Sequence, residues 1–368
     1  MSKKSTNFSK SRLDNLQSNL KDNRAILFST PNDIFYLTNF NFLVPEEREA
    51  FLIVTQKSAL LLHASFSPYQ PSNDIIPIKG NSIDKLKQQF EYLHQQEGVT
   101  QLLVDKTSLF VNEYEAIQKL SFLKISGLDR QLIWQLRMIK DEEELVFLKK
   151  AAKLTSQALH TSIAKLEAGI TEKQVKDLIE SELKKVNSKR PAFPTIVAFG
   201  SNSALPHHQP TDKKLTSEAV VLIDCGATVN NYCGDMTRTT WFGNNPNPEF
   251  TKIEQIVKQS YQSALKRLSK KSTNQPILAR DLDQAARQVI VNAGYGDDFI
   301  HTTGHGLGID IHENLSLSWK NQQEILPNMV ITIEPGIYLD NKFGYRYENT
   351  VLVTNKEAEE LTRLQLRF

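Results

Sequence analysis

The sequence predicts a two-domain protein in which a mixed α/β domain precedes a larger α+β domain. Its 368 residues are about twice the usual length of one domain. Short apolar runs alternate with helical patterns from Arg24 to Leu128. In the second half, a pair of helices followed by a hairpin occurs twice, which is typical of a duplicated domain with a shared cleft.

The composition is that of an ordinary globular protein and argues against several functional classes. Hydrophobic residues make up 40% and charged residues 23% of the chain, and the formal net charge is +2. This balance gives no general attraction to nucleic acid or to membranes, so neither is expected as a partner. No apolar stretch approaches the roughly 18 residues of a membrane span, and no apolar segment follows the basic start of the chain.

Cysteine usage indicates the cellular compartment. Cys225 and Cys233 are the two cysteines of the chain, which is too few for a disulfide framework. Both are expected to be ordinary thiols, which points to a reducing compartment or to indifference to redox. Because secretion and a membrane span are also disfavoured, we expect a cytoplasmic protein.

The first domain is predicted to span residues 1–130. Strands are predicted for four apolar runs, AILFS, FLIVT, ALLLH and QLLVD. The pattern IDKLKQQFEYLHQQ predicts a helix. No cluster of side chains in this domain has the spacing of a metal or nucleophile site, and its histidines, His63 and His94, are expected to be packed or solvated residues.

The second domain is predicted to span residues 131–368 and to begin with two helices. Asp141 with Glu144 three residues later has the spacing of a capping box, and so does Thr171 with Gln174. Strand patterns then carry two hairpins, with further helices between them.

Each predicted hairpin carries two acids, one on each strand. The four acids are Asp224, Asp235, Glu334 and Glu348. They lie in or beside apolar strands, where an unpaired ionised carboxylate is very costly. Arg238 or Arg346 could pair with one of them, but four buried acids need more positive charge than two arginines supply.

The segment FIHTTGHGLGIDIHE adds His301, His305 and His312 among glycines, which allow the backbone to approach a bound group closely. Four carboxylates and one imidazole form the ligand set expected for a pair of divalent cations such as Mn²⁺, Co²⁺ or Zn²⁺. Two such ions about 3.5 to 4 Å apart are typical of hydrolytic centres. Each motif is weak alone, and the order acid, acid, histidine, acid, acid is the specific signal.

These motifs resemble those of the pita-bread metallopeptidase family, which includes Xaa-Pro aminopeptidases, prolidases and methionine aminopeptidases. The matching stretches are ALPHHQPT, IDCGATVNNYCGDMTRT, TTGHGLGIDIHE, ITIEPGIY and YRYENTV, and LRMIKDEEEL fits the proline-specific branch. The resemblance implies a pita-bread fold for the second domain and, more loosely, a creatinase-type α/β fold for the first. It also makes a homodimer the expected assembly.

The resemblance implies a role for each metal-ligand candidate. Asp224 is expected to chelate one metal ion, while Asp235 and Glu348 bridge both ions. His305 and Glu334 are expected to complete the coordination of the second ion.

Further positions match residues of the family's cleft. His207 and His312 match histidines that face the substrate, and His301 matches a further cleft histidine of the proline-specific members. Tyr338 and Arg346 match positions that line or brace the same cleft.

One residue departs from the family pattern, which usually has aspartate directly after the last ligand glutamate. Here that residue is Asn349. Because amide and carboxylate oxygens both accept hydrogen bonds, we expect a change in the bonds around the site and a slightly altered metal affinity, with coordination retained.

The predicted reaction is hydrolysis of the Xaa-Pro bond at the N-terminus of a peptide whose second residue is proline. A hydroxide bridging the two metal ions would attack the scissile carbonyl. His312, with a metal, is expected to stabilise the oxyanion, and Glu334 to move the proton to the leaving nitrogen. His207 and His301 are expected to hold the substrate around the leaving residue.

Two alternatives remain open from the sequence. A prolidase would close the cleft with a group that binds the dipeptide carboxylate. Arg48 is a conceivable donor, although an arginine flanked by three glutamates is more often a solvated charge. A non-catalytic binding module is the more remote alternative, because all five ligand positions carry competent side chains.

Overall fold

The protein is described by a computed structural model that covers residues 5–69, 74–269 and 276–363. The chain divides into an N-terminal unit, Met1–Leu136, and a C-terminal unit, Arg137–Phe368. In the described part of the chain, no helix has the length and hydrophobicity needed to cross a bilayer.

The N-terminal unit is built on one six-stranded mixed sheet. Its strands are β1 (Arg24–Phe28), β2 (Ala50–Thr55), β3 (Ala59–His63), β4 (Ile76–Lys79), β5 (Gln101–Val104) and β6 (Lys124–Gly127). The spatial order is β4-β3-β2-β1-β5-β6. β2 pairs antiparallel with β1 and with β3, whereas β4, β5 and β6 each join parallel to a neighbour. The four strands predicted from apolar runs are confirmed.

Helices cover this sheet. They are α1 (Ser5–Ser18), α2 (Pro31–Thr38), α3 (Ile83–Glu97) and α4 (Val111–Gln118), and a fifth, α5 (Gln131–Met138), contains the boundary between the units. The apolar face of α3 buries Leu86, Phe90 and Leu93 in a cluster with strand residues of the sheet. Complete burial of each such side chain contributes about 1.5 to 3 kcal/mol.

Arg48 lies inside the N-terminal unit, and the expectation of a solvated charge is wrong. Its Nε and Nη2 donate to the two carboxylate oxygens of Glu113, at 2.8 and 3.0 Å. Nη2 also donates to the carbonyl of Ser108 at 2.7 Å, and Nη1 donates to the carbonyl of Ser29. Each guanidinium nitrogen therefore has an acceptor within the unit, which disfavours Arg48 as the donor for a substrate carboxylate.

The C-terminal unit contains two helix pairs. These are α6 (Glu142–Ile163) with α7 (Glu172–Lys185), and α8 (Pro248–Ser269) with α9 (Ala279–Asn292). Asp141 and Glu144 form the expected capping box at the start of α6, and Thr171 and Gln174 form one at the start of α7. Both helix starts predicted from these spacings are confirmed.

An antiparallel sheet follows each helix pair. The first contains β7 (Ile196–Phe199), β8 (Ala219–Cys225) and β11 (Met236–Phe242), with the ribbon β9 (Thr228–Val229) and β10 (Tyr232–Cys233) between the last two. The second contains β12 (Gly304–Gly306), β13 (Glu313–Leu317), β14 (Val330–Ile333), β17 (Asn349–Val353) and β18 (Ala358–Glu360). The ribbon β15 (Gly336–Leu339) and β16 (Phe343–Arg346) separates β14 from β17.

The two halves of the C-terminal unit share one plan, as the sequence pattern predicted. The pair β8 and β11 is antiparallel, and so is the pair β14 and β17. In each pair the chain leaves one strand, forms a two-stranded ribbon and returns on the other strand. One apolar cluster joins α6 and α7 to the first sheet, and another joins α8 and α9 to the second.

Candidate metal centre

The four predicted acids lie where the paired strands open into the ribbons. Asp224 is the next-to-last residue of β8, and Asp235 directly precedes β11. Glu334 directly follows β14, and Glu348 directly precedes β17. The duplicated plan thus supplies two carboxylates from each half at equivalent places.

His305 comes from the short strand β12, which lies beside β14. A Cβ atom at Gly304 would lie only 2.1 Å from the carbonyl oxygen of Thr332, so this close approach requires glycine. The Thr332 hydroxyl accepts a hydrogen bond from the His305 amide at 3.0 Å. The imidazole is thereby held next to the acid that follows β14.

The predicted ligands line one cavity of about 600 Å³. The predicted cleft residues His207, His301, His312 and Arg346 line it as well. Its apolar wall is formed by Phe193, Pro194, Ile196, Ile311 and Leu315. The structure therefore brings together side chains spread over more than 140 positions of sequence, from His207 to Glu348.

The distances within the cluster are those of a preformed ligand set. The ligand atoms of Asp235, His305 and Glu348 all lie within 4.8 Å of one another. His305 Nε2 lies 3.6 Å from Asp235 Oδ2 and 3.3 Å from Glu334 Oε1. One cation could contact several of these atoms with small side-chain movements.

Asp224 is anchored on one side and open on the other. Its Oδ2 accepts a hydrogen bond from Arg346 Nη2 at 2.7 Å. Its Oδ1 is buried and has no hydrogen-bond partner among the described residues. A buried, unsatisfied carboxylate oxygen is costly, and a bound cation would satisfy it.

The cluster contains more negative charge than its surroundings balance. Burial raises the pKa of Asp235 and Glu348 well above the usual range, and the neighbouring carboxylates raise it further. Burial also raises the pKa of Glu334. Among the described residues, none of these three acids is paired with lysine or arginine. The donor set and its unbalanced charge fit divalent cations.

His305 presents the correct nitrogen to the cluster. Burial lowers its pKa to about 4, so the ring is neutral at pH 7. Nδ1 lies 3.1 Å from the carbonyl of Gly306, which places the proton on Nδ1. Nε2 consequently offers its lone pair to the cavity, as a metal ligand requires.

His301, Tyr338 and Arg346 form a hydrogen-bonded row behind the cluster. Arg346 Nη1 donates to the Tyr338 hydroxyl at 2.9 Å, and that hydroxyl lies 2.8 Å from His301 Nε2. His301 Nδ1 lies 2.7 Å from the carbonyl of Thr302. Because a carbonyl only accepts, His301 carries its proton on Nδ1 and accepts from Tyr338 at Nε2. Burial raises the pKa of Tyr338 to about 12, which keeps this hydroxyl protonated.

His207 and His312 differ from His301 because their ring nitrogens are available. Both side chains are exposed in the cavity wall. Within the described residues neither ring makes a side-chain hydrogen bond, and the His312 ring lies edge-on to His305 with centroids 4.4 Å apart. Partial desolvation at the cavity wall and the nearby His305 lower the pKa of His312. These two imidazoles can contact a substrate directly.

Asn349 takes part in a network on the far side of Glu348. Its Oδ1 accepts from Arg238 Nη2 at 2.8 Å, while its Nδ2 donates to Glu360 Oε1 at 2.9 Å. Arg238 Nη1 donates to the carbonyl of Glu348 at 2.6 Å. An amide is suited to this place, because it accepts from a guanidinium and donates to a carboxylate at the same time.

The Glu348 side chain is fixed by a separate contact. Its Oε2 accepts from the Thr237 hydroxyl at 2.6 Å, and the same hydroxyl accepts from Arg346 Nε at 3.0 Å. Arg346 thus reaches both Asp224 and Glu348, directly or through one hydroxyl. The expected pairing of Arg346 with a buried acid is confirmed.

Sequence reasoning missed a buried ion-pair cluster beneath His312. Glu313 accepts from Arg137 Nη2 at 2.7 Å and from Lys140 Nζ, and the Ile309 amide donates to it at 3.2 Å. A Cβ atom at Gly308 would lie 2.3 Å from Glu313 Oε1. This carboxylate therefore fixes the loop that presents His312. The sequence held one indication of this role, because Glu313 directly follows the predicted cleft residue His312.

A second missed acid, Glu172, explains His208. The His208 ring, next in sequence to the predicted cleft residue His207, is buried and lies 2.9 Å from Glu172 Oε2. Glu172 also accepts from the Phe199 amide at 2.8 Å and from the Thr211 hydroxyl at 2.6 Å. It anchors the segment that carries His207.

The fold and the cleft define a metal-dependent hydrolase with an N-terminal α/β unit. Residues 147–355 match the model of metallopeptidase family M24, and residues 12–139 match the creatinase/prolidase N-terminal domain. The chain belongs to metallopeptidase family M24, so the resemblance, the fold class and the enzyme class predicted from sequence are confirmed.

Individual relatives are similar to this protein over almost the whole length of the chain. An uncharacterized peptidase of Staphylococcus epidermidis is 35% identical over 347 residues, covering 94% of this chain and 96% of the relative. The X-Pro aminopeptidase of Thermotoga maritima is similar in structure with a TM-score of 0.83 and 30% identity, covering 95% and 98% of the two chains. The prolidase of Pyrococcus furiosus has a TM-score of 0.83 and 29% identity, covering 96% and 100%.

Proposed function

We propose that this metallopeptidase is an Xaa-Pro aminopeptidase that uses two divalent cations. The observation that carries the proposal is the convergence of four carboxylates and one neutral imidazole in a single cavity whose negative charge is unbalanced. Similarity to an X-Pro aminopeptidase and to a prolidase supports proline specificity.

The shape of the cavity is compatible with such a substrate. An Xaa-Pro bond has no N–H, so recognition of the proline has to rely on its ring. The wall containing Phe193, Ile196 and Leu315 offers apolar surface beside the carboxylates. A volume of about 600 Å³ is sufficient for two residues of a peptide.

The proposed ligands are Asp224, Asp235, His305, Glu334 and Glu348. Divalent cations bound by them would activate water as the nucleophile and polarise the scissile carbonyl. We assign Mn²⁺ as the metal, because the set is rich in oxygen ligands, with Co²⁺ and Zn²⁺ as alternatives.

The remaining chemistry falls to side chains of the cleft. Glu334 Oε1 faces His305, which leaves Oε2 to take a proton from the nucleophile and pass it to the leaving nitrogen. His312 is assigned to the developing oxyanion, and His207 to the substrate, because both rings have free nitrogens.

His301, Tyr338 and Arg346 are proposed to act indirectly. Their polar atoms are bonded to one another or to Asp224 and Thr237. In this proposal they orient Asp224 and the wall of the cleft, and the substrate reaches His301 only if the Tyr338 hydroxyl turns away.

A dipeptidase remains the second candidate, because structures similar to this chain include the Xaa-Pro dipeptidase of Bacillus anthracis, with a TM-score of 0.88 and 25% identity over 98% of this chain and 99% of that one. The internal bonds of Arg48 favour the aminopeptidase, since they disfavour the carboxylate partner that the sequence suggested. The proposal also includes a homodimer, as the family resemblance implies, and a cytoplasmic location, which the two free buried cysteines support.

A product assay with Mn²⁺ separates these functions. The enzyme is incubated with Xaa-Pro and Xaa-Pro-Yaa peptides before and after chelation of the metal. Release of the first residue from the tripeptide, lost on chelation, is expected. Cleavage of the dipeptide alone would identify a dipeptidase, and no cleavage of either peptide by metal-loaded enzyme would contradict the proline specificity.

A further inference from the structure

Asp283 and Arg287 form an ion pair one turn apart on α9, on the side of the helix that meets residues 299–303. Arg287 Nε and Nη2 donate to the two oxygens of the Asp283 carboxylate at 3.0 and 2.9 Å. Asp283 is fully buried, whereas about a quarter of the Arg287 side chain is exposed. A buried carboxylate held by both oxygens is a rigid support.

The pair holds three alternate residues of the neighbouring loop. Arg287 donates to the carbonyl of Phe299 at 2.9 Å from Nη1 and to the carbonyl of His301 at 2.8 Å from Nη2. Its guanidinium also lies 4.0 Å from the centre of the Phe299 ring. The Thr303 hydroxyl donates to Asp283 Oδ1 at 2.7 Å. Loop carbonyls need such partners when no strand neighbour supplies them.

Two sets of contacts connect the loop of residues 299–303 to the candidate metal centre. His301 packs edge-on against Phe299, with ring centroids 5.2 Å apart, and bonds the Tyr338 hydroxyl that continues to Arg346. The carbonyl of Thr303 accepts a hydrogen bond from the Glu334 amide at 2.8 Å. His301 is therefore connected to Arg346 through the Tyr338 hydroxyl, and Thr303 bonds directly to the backbone of the proposed ligand Glu334.

We propose that Arg287, supported by Asp283, is a positioning residue for the metal centre. It fixes the loop whose His301 imidazole and Thr303 carbonyl hold Tyr338 and Glu334 in place. This inference rests on the proposed function only in taking Glu334 as a metal ligand. Neither residue reaches the cavity, so the effect on catalysis passes through the loop.

The test uses Arg287→Met, Arg287→Lys and Asp283→Asn in the full chain. Lysine can donate to Asp283 and to one carbonyl, so it restores part of the clamp, whereas methionine restores none. Lys258→Met is the control for loss of a helical ion pair, because Lys258 pairs with Glu254, at 2.7 Å and one turn apart on α8, at a more exposed position. Mn²⁺ affinity of the metal-free proteins is measured by calorimetry, together with kcat, KM and the unfolding midpoint.

We expect Arg287→Met to weaken Mn²⁺ binding about 10-fold and to lower kcat about 10- to 100-fold, the range typical of residues that support metal ligands. KM should change less than kcat. Arg287→Lys and Asp283→Asn should lie between Arg287→Met and the unsubstituted protein, and Lys258→Met should match the latter. The two milder variants provide the same comparison if Arg287→Met does not fold.

Wild-type affinity and kcat in the Arg287 and Asp283 variants would overturn the inference. Equal losses in Lys258→Met would overturn it too, because they would indicate a general effect of removing a helical ion pair. The affinity measurement uses the metal alone, so a protein that binds Mn²⁺ without cleaving proline peptides contradicts the proposed function and leaves this inference standing. Failure of the unsubstituted protein to bind Mn²⁺ contradicts both.

Discussion

Glu172 and Glu313 lie in the protein interior, like the cavity acids Asp235, Glu334 and Glu348, yet the pKa values of the two groups are shifted in opposite directions. Burial opposes ionisation in all five. In Glu172 and Glu313, hydrogen-bond donors and cations outweigh it and lower the pKa of the carboxyl. In the other three, burial prevails and the pKa is raised.

The difference separates acids that stabilise the fold from acids that we propose bind cations. Arg137, Lys140 and the Ile309 amide surround the Glu313 carboxylate. The cavity acids have no comparable cation among the described residues, apart from Arg346 on Asp224. Donors within the protein satisfy the buried carboxylates of Glu172 and Glu313, whereas the cavity acids lack such partners. This contrast indicates that an external cation completes the site.

The largest expected effect comes from removing the carboxylate of a proposed metal ligand. Asp235→Asn should lower kcat/KM by more than about 100-fold, the upper range for residues that only support a ligand. Because the change removes a repelling carboxylate, the metal-free variant should unfold at a temperature no lower than that of the metal-free parent. Peptide hydrolysis and thermal unfolding in chelator measure the two effects, and a variant with parental activity would contradict the assignment.

The opposite result is expected for an acid that holds the fold. Glu313→Gln leaves two buried cations short of a partner, which should lower the free energy of unfolding by about 3 kcal/mol. Activity should fall as well, because the loop carrying His312 loses its anchor. Urea unfolding gives the free energy, and a Glu313→Gln protein as stable as the parent would remove the contrast between the two groups of acids.

Metal should stabilise the protein only where the cavity acids are intact. At a free Mn²⁺ concentration 100 times the dissociation constant, the folded state should gain about 2.7 kcal/mol. Asp235→Asn should lose this gain, while Glu313→Gln should keep most of it. Unfolding curves with and without Mn²⁺ provide the comparison, and an equal metal response in both variants would place the cation elsewhere.

The smallest effect concerns acid sensitivity. The pKa of Glu172 is lower in the folded protein than the value of about 4.3 usual for glutamate, so its stabilising contribution is complete above that pH and is lost as the pH falls through the folded pKa. Glu172→Gln should therefore show a shallower loss of stability below about pH 4.3 than the parent. Urea unfolding between pH 3 and pH 7 measures this slope, and identical slopes would contradict the prediction.

The sequence was sufficient for features that depend on local pattern. The capping boxes at Asp141 and Thr171 located two helix starts, and apolar runs located strands such as β2 and β8. Acids inside apolar runs marked Asp224 and Glu334 as unusual, because burial of a charge is visible in the pattern itself.

Features that depend on distant partners were not predictable. Arg48 sits among glutamates in sequence, but its partner Glu113 is 65 positions away. His301 was expected to hold the substrate, and the contact between its ring and the Tyr338 hydroxyl, 37 positions away, is visible only in the folded structure. The short strands β4 and β6 carry mostly exposed residues, so no buried face identified them.

The most direct test of the account is a crystal structure of the Mn²⁺-loaded protein with anomalous scattering from manganese. The account predicts two anomalous peaks about 3.5 to 4 Å apart, each within bonding distance of side chains from the set Asp224, Asp235, His305, Glu334 and Glu348. A cavity without manganese density at saturating Mn²⁺, its carboxylates paired with arginine or with one another, would contradict it.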